Sequence, residues 1–337
     1  MKKLITLTLA LILALTSMLV LTSCNTPTDK SIAEKVAAGE ELKIGIIQYM
    51  SHPSLANCYE GIKTALEESG IAMSIDYQIG SDTSADTDCS NFAQTMANAG
   101  YDMIFAIATP AAQSAFAATA DTDIPVIFCA VSDPVGAKLV ASNETPGDLC
   151  TGTSDVLDLE AQVDLILAMQ PNAKKIGIIY TSSEANSLTN LANFRTVCDA
   201  RGLEVVASAV QNAADIPAAA ENVASQVDCI NNFTDNNVVN SLSIVLEAAD
   251  KYHIPVYGSE EEQVKNGCLA SVSIDYVALG KVTGQMALDV INGADITTLS
   301  VRTISDATPI VNTEVLATLG MTMPAGYANI ATTTTNK

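Results

Sequence analysis

The sequence predicts an α/β protein of two similar doubly wound parallel-sheet lobes joined by a multi-strand hinge, and three observations carry that expectation. First, apolar runs alternate with helix-like stretches: Met103 to Ala108 is continuously apolar, as a strand buried on both faces is, and Thr109-Pro110 then supplies a cap residue and a proline suited to a first helical turn. Second, the strand, helix, strand unit from Asp102 to Val135 recurs from Asp228 to Glu260. Third, Lys43 to Ile47 (KIGII) returns as Lys175 to Ile179 (KIGII), Ile124-Pro125 as Ile254-Pro255, and Gly70 as Gly202, all offset by about 130 residues, the size of one domain.

The bulk properties agree. A chain of 337 residues that is 48% hydrophobic has length and apolar content for two cores. Met1 to Ser23 stands apart: Lys2-Lys3 precedes an apolar segment that runs into Leu21-Thr22-Ser23-Cys24, which reads as a signal peptide (1–23) ending in a lipobox with Cys24 as the lipidated residue. Removing Lys2 and Lys3 takes the net charge from −22 to −24. So acidic a surface repels phosphate backbones, and nucleic acid is excluded as a partner class. The cysteines follow no C-x-x-C spacing, and Cys129 and Cys229 lie in apolar runs, so free thiols and no metal site are expected.

In chain order, residues 24–40 read as a polar tether between lipid and domain. Lobe I is expected at 41–152 plus 272–298. It opens with the strand Leu42 to Ile47 and the loop Gln48 to Pro53, followed by a helix that Gly70 ends. A strand near Met73 to Tyr77 and a helix to Ala99 come next; Asp82, Asp86 and Asp88 lack the glycine and closing glutamate of a calcium loop and read as an acidic helix start. Lobe II is expected at 153–271 plus 299–330, with Lys175 to Tyr180 repeating the first strand and Val205 to Val210 the second. Leu269 to Asp275 follows both repeats and is expected to cross back to lobe I, leading into a helix from Val277 to Ile291, while Val301 to Val311 returns to lobe II. Residues 331–337 read as a flexible tail.

Ligands of open parallel sheets bind beyond the carboxyl ends of the strands, where helix N-termini point amides outward. The strand-end loops and helix starts hold Gln48, Tyr49, His52, Thr109, Ala111, Ser132, Asp133, Ser154, Asp155, Tyr180, Ser183, Glu184, Asn186, Phe233, Thr234, Asp235, Asn236, Ser259, Glu260 and Asp275, and these are the expected ligand-binding residues. None is Lys or Arg. The cleft therefore suits a cationic or hydroxyl-rich ligand, with any carboxylate held by helix N-termini and hydroxyls. Each strand-end Asp has a second reading as a helix cap, and His253 reads as a helix-terminal residue. No G-x-G-x-x-G, Walker or G-x-S-x-G motif is present, and two histidines offer little for a metal site or a triad, so no enzyme activity and no cofactor are expected. The chain has no Trp to stack a sugar ring, whereas Tyr49, Tyr180, Phe233 and Tyr257 are available to an aromatic or aliphatic side chain.

Lys43 to Pro53 (KIGIIQYMSHP), Ala108 to Gln113 (ATPAAQ), Val131 to Val140 (VSDPVGAKLV), Thr151 to Asp155 (TGTSD), Tyr180 to Ser187 (YTSSEANS), Thr234 to Asn236 (TDN) and Gly258 to Glu260 (GSE) occur in one order. This set resembles the ABC-transporter substrate-binding lipoproteins that include tryptophan- and tyrosine-binding members. The resemblance implies a type I periplasmic-binding-protein fold that closes on a small ligand, an amino acid with aromatic ones in scope, and delivers it to membrane permease subunits. It implies an extracytoplasmic monomer anchored to the bacterial membrane through the Cys24 lipid, with the TDN motif facing the ligand. That makes Asp235, with Glu260, the expected ammonium acceptor. A sugar- or nucleoside-binding lipoprotein of the same fold is the alternative.

Overall fold

The computed structural model describes residues 30–304 and 307–336. The expected signal peptide, Cys24 and the first part of the tether lie outside the described residues. The tether's end is a helix, α1 (Ile32–Ala37), started by a reciprocal capping box between Ser31 and Glu34. It rests on lobe I through Ile32 and Val36 and an ion pair from Lys35 Nζ to Asp102 Oδ1 at 2.6 Å, so this part is docked rather than extended.

Lobe I contains β1 (Leu42–Gln48), α2 (Pro53–Glu68), β2 (Met73–Ile79), α3 (Ala85–Asn98), β3 (Met103–Ile107), α4 (Thr109–Thr119), β4 (Val126–Cys129) and β5 (Cys150–Ser154). Lobe II follows with α5 (Leu159–Met169), β6 (Lys175–Thr181), α6 (Ala185–Ala200), β7 (Glu204–Val210), α7 (Ile216–Ala224), β8 (Cys229–Asn231), α8 (Asn236–Asn240), α9 (Leu242–Lys251), β9 (Val256–Tyr257), α10 (Glu261–Lys265) and β10 (Ala270–Ser273). The chain ends in α11 (Tyr276–Ile291), β11 (Arg302–Thr303), β12 (Thr308–Asn312), α12 (Thr313–Thr318) and β13 (Ala331–Thr333).

The first sheet is parallel throughout, in the order β11-β5-β4-β3-β1-β2. The second runs β7-β6-β8-β9, also parallel. Backbone bonds from Gly258 N to Ala270 O and from Leu269 N to Val256 O extend it to β10, which pairs antiparallel with β12. Each sheet reverses its order beside its first strand, which opens a crevice at the carboxyl ends.

The duplication holds at atomic detail. Asp102 Oδ2 accepts from Lys43 N (2.8 Å) and Asp102 N donates to Lys43 O (2.9 Å); Asp228 Oδ2 accepts from Lys175 N (2.8 Å) and Asp228 N donates to Lys175 O (2.9 Å). The glycines of the two KIGII strands also match. A Cβ on Gly45 would meet Met96 Sδ at 2.4 Å, and one on Gly177 would meet Val223 Cγ1 at 2.4 Å, so each lobe seats a helix directly on its first strand.

Three assignments at the hinge and tail differ from expectation. Residues 272–273 stay in lobe II, where Val272 pairs with Pro309 and packs in a core with Leu269 and Val311; the crossing to lobe I begins at Ile274. Residues 153–154 and 302–303 belong to the first sheet, because β11 pairs with β5 (Arg302 with Thr153), so the last return to lobe II follows β11 and is not made by Val301 to Val311 as one strand. The expected flexible tail is β13, parallel to β12, continued by Asn336 N donating to Lys265 O at 2.7 Å. The chain thus passes between lobes after β5, after β10 and after β11. α11 is fixed to lobe I by close approach to α2: a Cβ on Gly61 would fall 2.2 Å from Val277 O, and one on Gly280 2.1 Å from Cys58 O.

Candidate functional site

The carboxyl ends of the two sheets face each other and are in contact. Ser54 Oγ donates to Glu260 Oε2 (2.8 Å), Thr189 Oγ1 to Asp133 Oδ2 (2.9 Å) and Asn57 Nδ2 to Glu262 Oε1 (3.4 Å); His52 Nε2 lies 3.4 Å from Asn236 Oδ1, and the Ser132 and Thr234 hydroxyls 3.4 Å apart. Between them lies a cavity lined by His52, Leu55, Ala108, Thr109, Ala130, Ser132, Asp155, Asn186, Thr234, Asn236, Glu260 and Tyr276. Its free volume is only about 10 Å³, room for about one water molecule. The lobes are therefore drawn tightly together, and a ligand needs them to part on entry.

The lobe I wall is backbone. α4 begins at Thr109 with no side-chain cap, so its first-turn amides have no partner within the helix. Its preceding residue, Ala108, is held at φ 81, and Ala130, beside it at the end of the neighbouring strand β4, at φ 57, both costly for an L-residue. Such strain at two cavity-lining residues points to a backbone shaped for a ligand. Amides and a positive dipole end at Thr109 suit an anion.

The hinge and lobe II supply the carboxylates. Asp155 accepts from Ser132 Oγ (2.9 Å) and Tyr276 OH (3.0 Å), and burial raises its pKa against these two bonds. Burial pushes Glu260 up to about 7, only partly offset by Ser54 and Gln263. Burial holds His52 down to about 4, so its imidazole is neutral, and its Nδ1 has no partner. Asn186 donates from Nδ2 to Thr234 O (3.1 Å) and to Glu184 Oε2 (3.1 Å), while its Oδ1 is unpartnered. No Lys or Arg lines the cavity. Two buried carboxyls and the unpartnered Asn186 Oδ1 share this cavity with an uncapped helix start, a set that can hold both a cationic and an anionic group of one small molecule.

Of the residues expected from sequence, His52, Thr109, Ser132, Asp155, Asn186, Thr234, Asn236 and Glu260 line this cavity. The structure places the others elsewhere. Gln48 is occupied by Met50 O (2.6 Å) and Tyr77 OH (2.6 Å). Tyr49 donates to Asp86 (2.8 Å) and, with Ser183 and Glu184, borders a separate outer groove. Ala111 is fully buried in the first turn of α4 and does not line the cavity. Asp133 caps its own loop at Gly136 N (2.8 Å), Ser154 donates to Ser132 O (3.3 Å) and Ser259 to Asn232 O (2.7 Å). Phe233 packs edge-on against Phe194, Tyr257 donates to Gln170 (3.1 Å), and Tyr180 lies half-buried against the lobe II core. Asp275 caps α11 through Val277 N (2.8 Å) and Ala278 N (3.0 Å).

Asp235 is the largest correction. Its Oδ2 accepts from Thr181 N (2.6 Å) and Ser187 Oγ (2.7 Å), its Oδ1 from Thr181 Oγ1 (2.8 Å) and Val238 N (3.0 Å). With four donors from its own lobe it is the cap of α8, turned away from the cavity, and has no capacity left for an ammonium. Sequence reasoning also missed Leu55, Ala108, Ala130 and Tyr276. Only Tyr276, directly after the crossing Asp275, carried a signal that hinge position could have supplied.

Residues 43–334 match the family described as ABC transporter substrate binding protein. A tyrosine-binding protein of Clostridioides difficile is 35% identical over 325 residues, 95% of this chain and 93% of that protein. A domain from Streptococcus pneumoniae solved in complex with L-Trp is 34% identical with a TM-score of 0.82, covering 87% of this chain and 99% of that one. The ligand-free, open structure of a substrate binding protein with adhesive properties from Clostridium difficile is 35% identical, covers 88% and 100%, and superposes less well, with a TM-score of 0.66.

Proposed function

Because the chain belongs to the ABC transporter substrate binding protein family, we propose that its interlobe cavity captures an amino acid, aromatic ones included, for delivery to the permease of an importer. The observation that supports this reading best is the pairing of unlike groups around the cavity: uncapped α4 amides with Thr109 on lobe I, and the buried carboxyls of Asp155 at the hinge and Glu260 on lobe II. The α-carboxylate goes to α4, the ammonium to the buried carboxyls, and the side chain toward Leu55, His52 and Tyr276. The names of the tyrosine-binding relative and of the L-Trp complex favour an aromatic side chain. Nothing in this arrangement activates a nucleophile, and the relatives are named for binding.

The working protein is placed outside the cytoplasmic membrane, held there as a monomer by a lipid on Cys24. Cys24→Ala protein that stays membrane-bound after signal processing overturns the anchor. For the ligand, the melting temperature of the purified protein is measured with L-tryptophan, L-tyrosine, glucose and uridine. A rise with the amino acids alone is expected, since a ligand that binds only the folded state stabilises it. A rise with glucose or uridine alone selects the sugar- or nucleoside-binding alternative.

A further inference from the structure

Glu184 borders the outer groove rather than the cavity, yet its carboxylate fixes what the lobe II wall presents to a ligand. Although it precedes α6, its side chain makes no capping bond to that helix. Instead Glu184 Oε2 takes three donors at once: Asn236 Nδ2 at 2.6 Å, Asn236 N at 3.1 Å and Asn186 Nδ2 at 3.1 Å. Its Oε1 faces Asn237 N and Nδ2, both at 3.4 Å.

A primary amide has one donor end and one acceptor end, so committing the first aims the second. With both Nδ2 groups turned to Glu184, both Oδ1 atoms are turned away from it. Asn236 Oδ1 points toward His52, and Asn186 Oδ1 is buried without a partner in a residue that lines the cavity. A buried carbonyl oxygen left without a donor is costly unless a ligand supplies one.

We infer that Glu184 is a positioning residue that locks the Asn186 and Asn236 amides carbonyl-inward, making this wall selective for a ligand group that donates. Resting on the function proposed above, the group selected is the amino acid's ammonium. Replacing Glu184 by an apolar residue of similar length frees the Asn236 amide to turn and leaves Asn186 Nδ2 held by Thr234 O alone, so the wall can present Nδ2, which repels an ammonium and tolerates its absence.

Calorimetry on the full-length mature protein tests this with two ligand pairs: L-tryptophan against 3-indolepropionic acid, and L-tyrosine against 3-(4-hydroxyphenyl)propionic acid, each pair differing by the ammonium. Wild type prefers the amino acid. In Glu184→Met that preference falls by about tenfold or more, the scale of a charge-assisted hydrogen bond. Glu184→Gln keeps a carbonyl oxygen for the three donors and retains the preference. A purely structural role predicts instead that Glu184→Met weakens both members of a pair equally, and an unchanged ratio in the folded variant overturns the inference. If Glu184→Met does not fold, Asn186→Ala removes the inward oxygen with Glu184 intact; loss of preference supports the inference and an unchanged ratio overturns it. Wild type that binds none of the four compounds overturns the proposed function and this inference together, whereas wild type that prefers the amino acids beside unaltered variants overturns this inference alone.

Discussion

The two lobes repeat one strand and helix unit and use its helix start in opposite ways. After β3, α4 begins without a cap, behind a strained Ala108, and its amides face the cavity. After β8, α8 begins under the Asp235 cap and the Glu184 carboxylate, its amides fully engaged. One copy offers its dipole end to an anion. The other spends that end internally and gains rigidity, with Asn186, Thr234 and Asn236 held as the contacting groups. The two equivalent helix starts are thereby made unlike, one open and one filled by the chain's own carboxylates. A zwitterion needs that asymmetry.

The largest expected effect comes from removing the cap on the filled side. Asp235→Ala leaves Thr181 N, Val238 N and two hydroxyls without an acceptor, so the ligand-free protein should lose on the order of 3 kcal/mol or more of stability, read as a lowered denaturation midpoint. A midpoint near wild type, with affinity alone reduced, would return Asp235 to the ligand and undo the contrast. Next, Asp155→Asn keeps a partner for Ser132 and Tyr276 but removes a charge that faces the cavity. Affinity for L-tryptophan should fall roughly ten- to a hundredfold by calorimetry, with little change in melting. Retained affinity would move the ammonium to Glu260 alone.

The pH dependence of the empty protein turns on its buried carboxyls: Glu184 is raised to about 8 and Glu260 to about 7, both in lobe II, and burial raises Asp155 and Asp235 as well. Burial raises Glu184 and Glu260, with the Asp235 carboxylate adding to the rise at Glu184. A raised folded-state pKa means that the unfolded chain gives up its proton first, so stability falls as pH climbs from the ordinary carboxyl range through 7 to 8. His52, lowered to about 4, acts oppositely and subtracts stability as pH drops below its ordinary 6.5. Melting temperature should therefore decline from pH 6.5 to 8, by a net effect on the order of 2 kcal/mol, and Glu260→Gln should flatten the decline. A flat profile in wild type contradicts the burial of both carboxyls. The smallest effect is on the strained side: Ala108→Gly relieves a left-handed alanine at some entropic cost, for a gain below about 1 kcal/mol in the melting transition.

The repeat was legible because its markers are local. Asp102 and Asp228, the KIGII glycines and the Ile-Pro pairs each answer to a near-neighbour constraint of strand or turn. The hinge was not, because Val272 and Ser273 suit either sheet and only packing against Val311 decides between them. In the site, sequence identified the class of residue at strand ends but not its direction. Asp133, Asp155, Asp235 and Asp275 are the same side chain after a strand or crossing. Three turn back to cap their own chain and one, Asp155, faces the cavity, a choice set by torsions that spacing does not encode. Ala108 and Ala130 contribute backbone shape, for which an alanine gives no sign.

The backbone contact at Gly61 and Gly280 bears on how the molecule comes into being. It joins positions roughly two hundred residues apart in sequence, and β11 likewise returns to a strand, β5, made about 150 residues earlier. Neither lobe can seal its interior until the final stretch of polypeptide is available, so a chain cut short after Ser273 leaves an α2 face and a β10 edge without their covers. Long-range closure of this kind is slow, so docking of the C-terminal stretch is the expected slow step of folding.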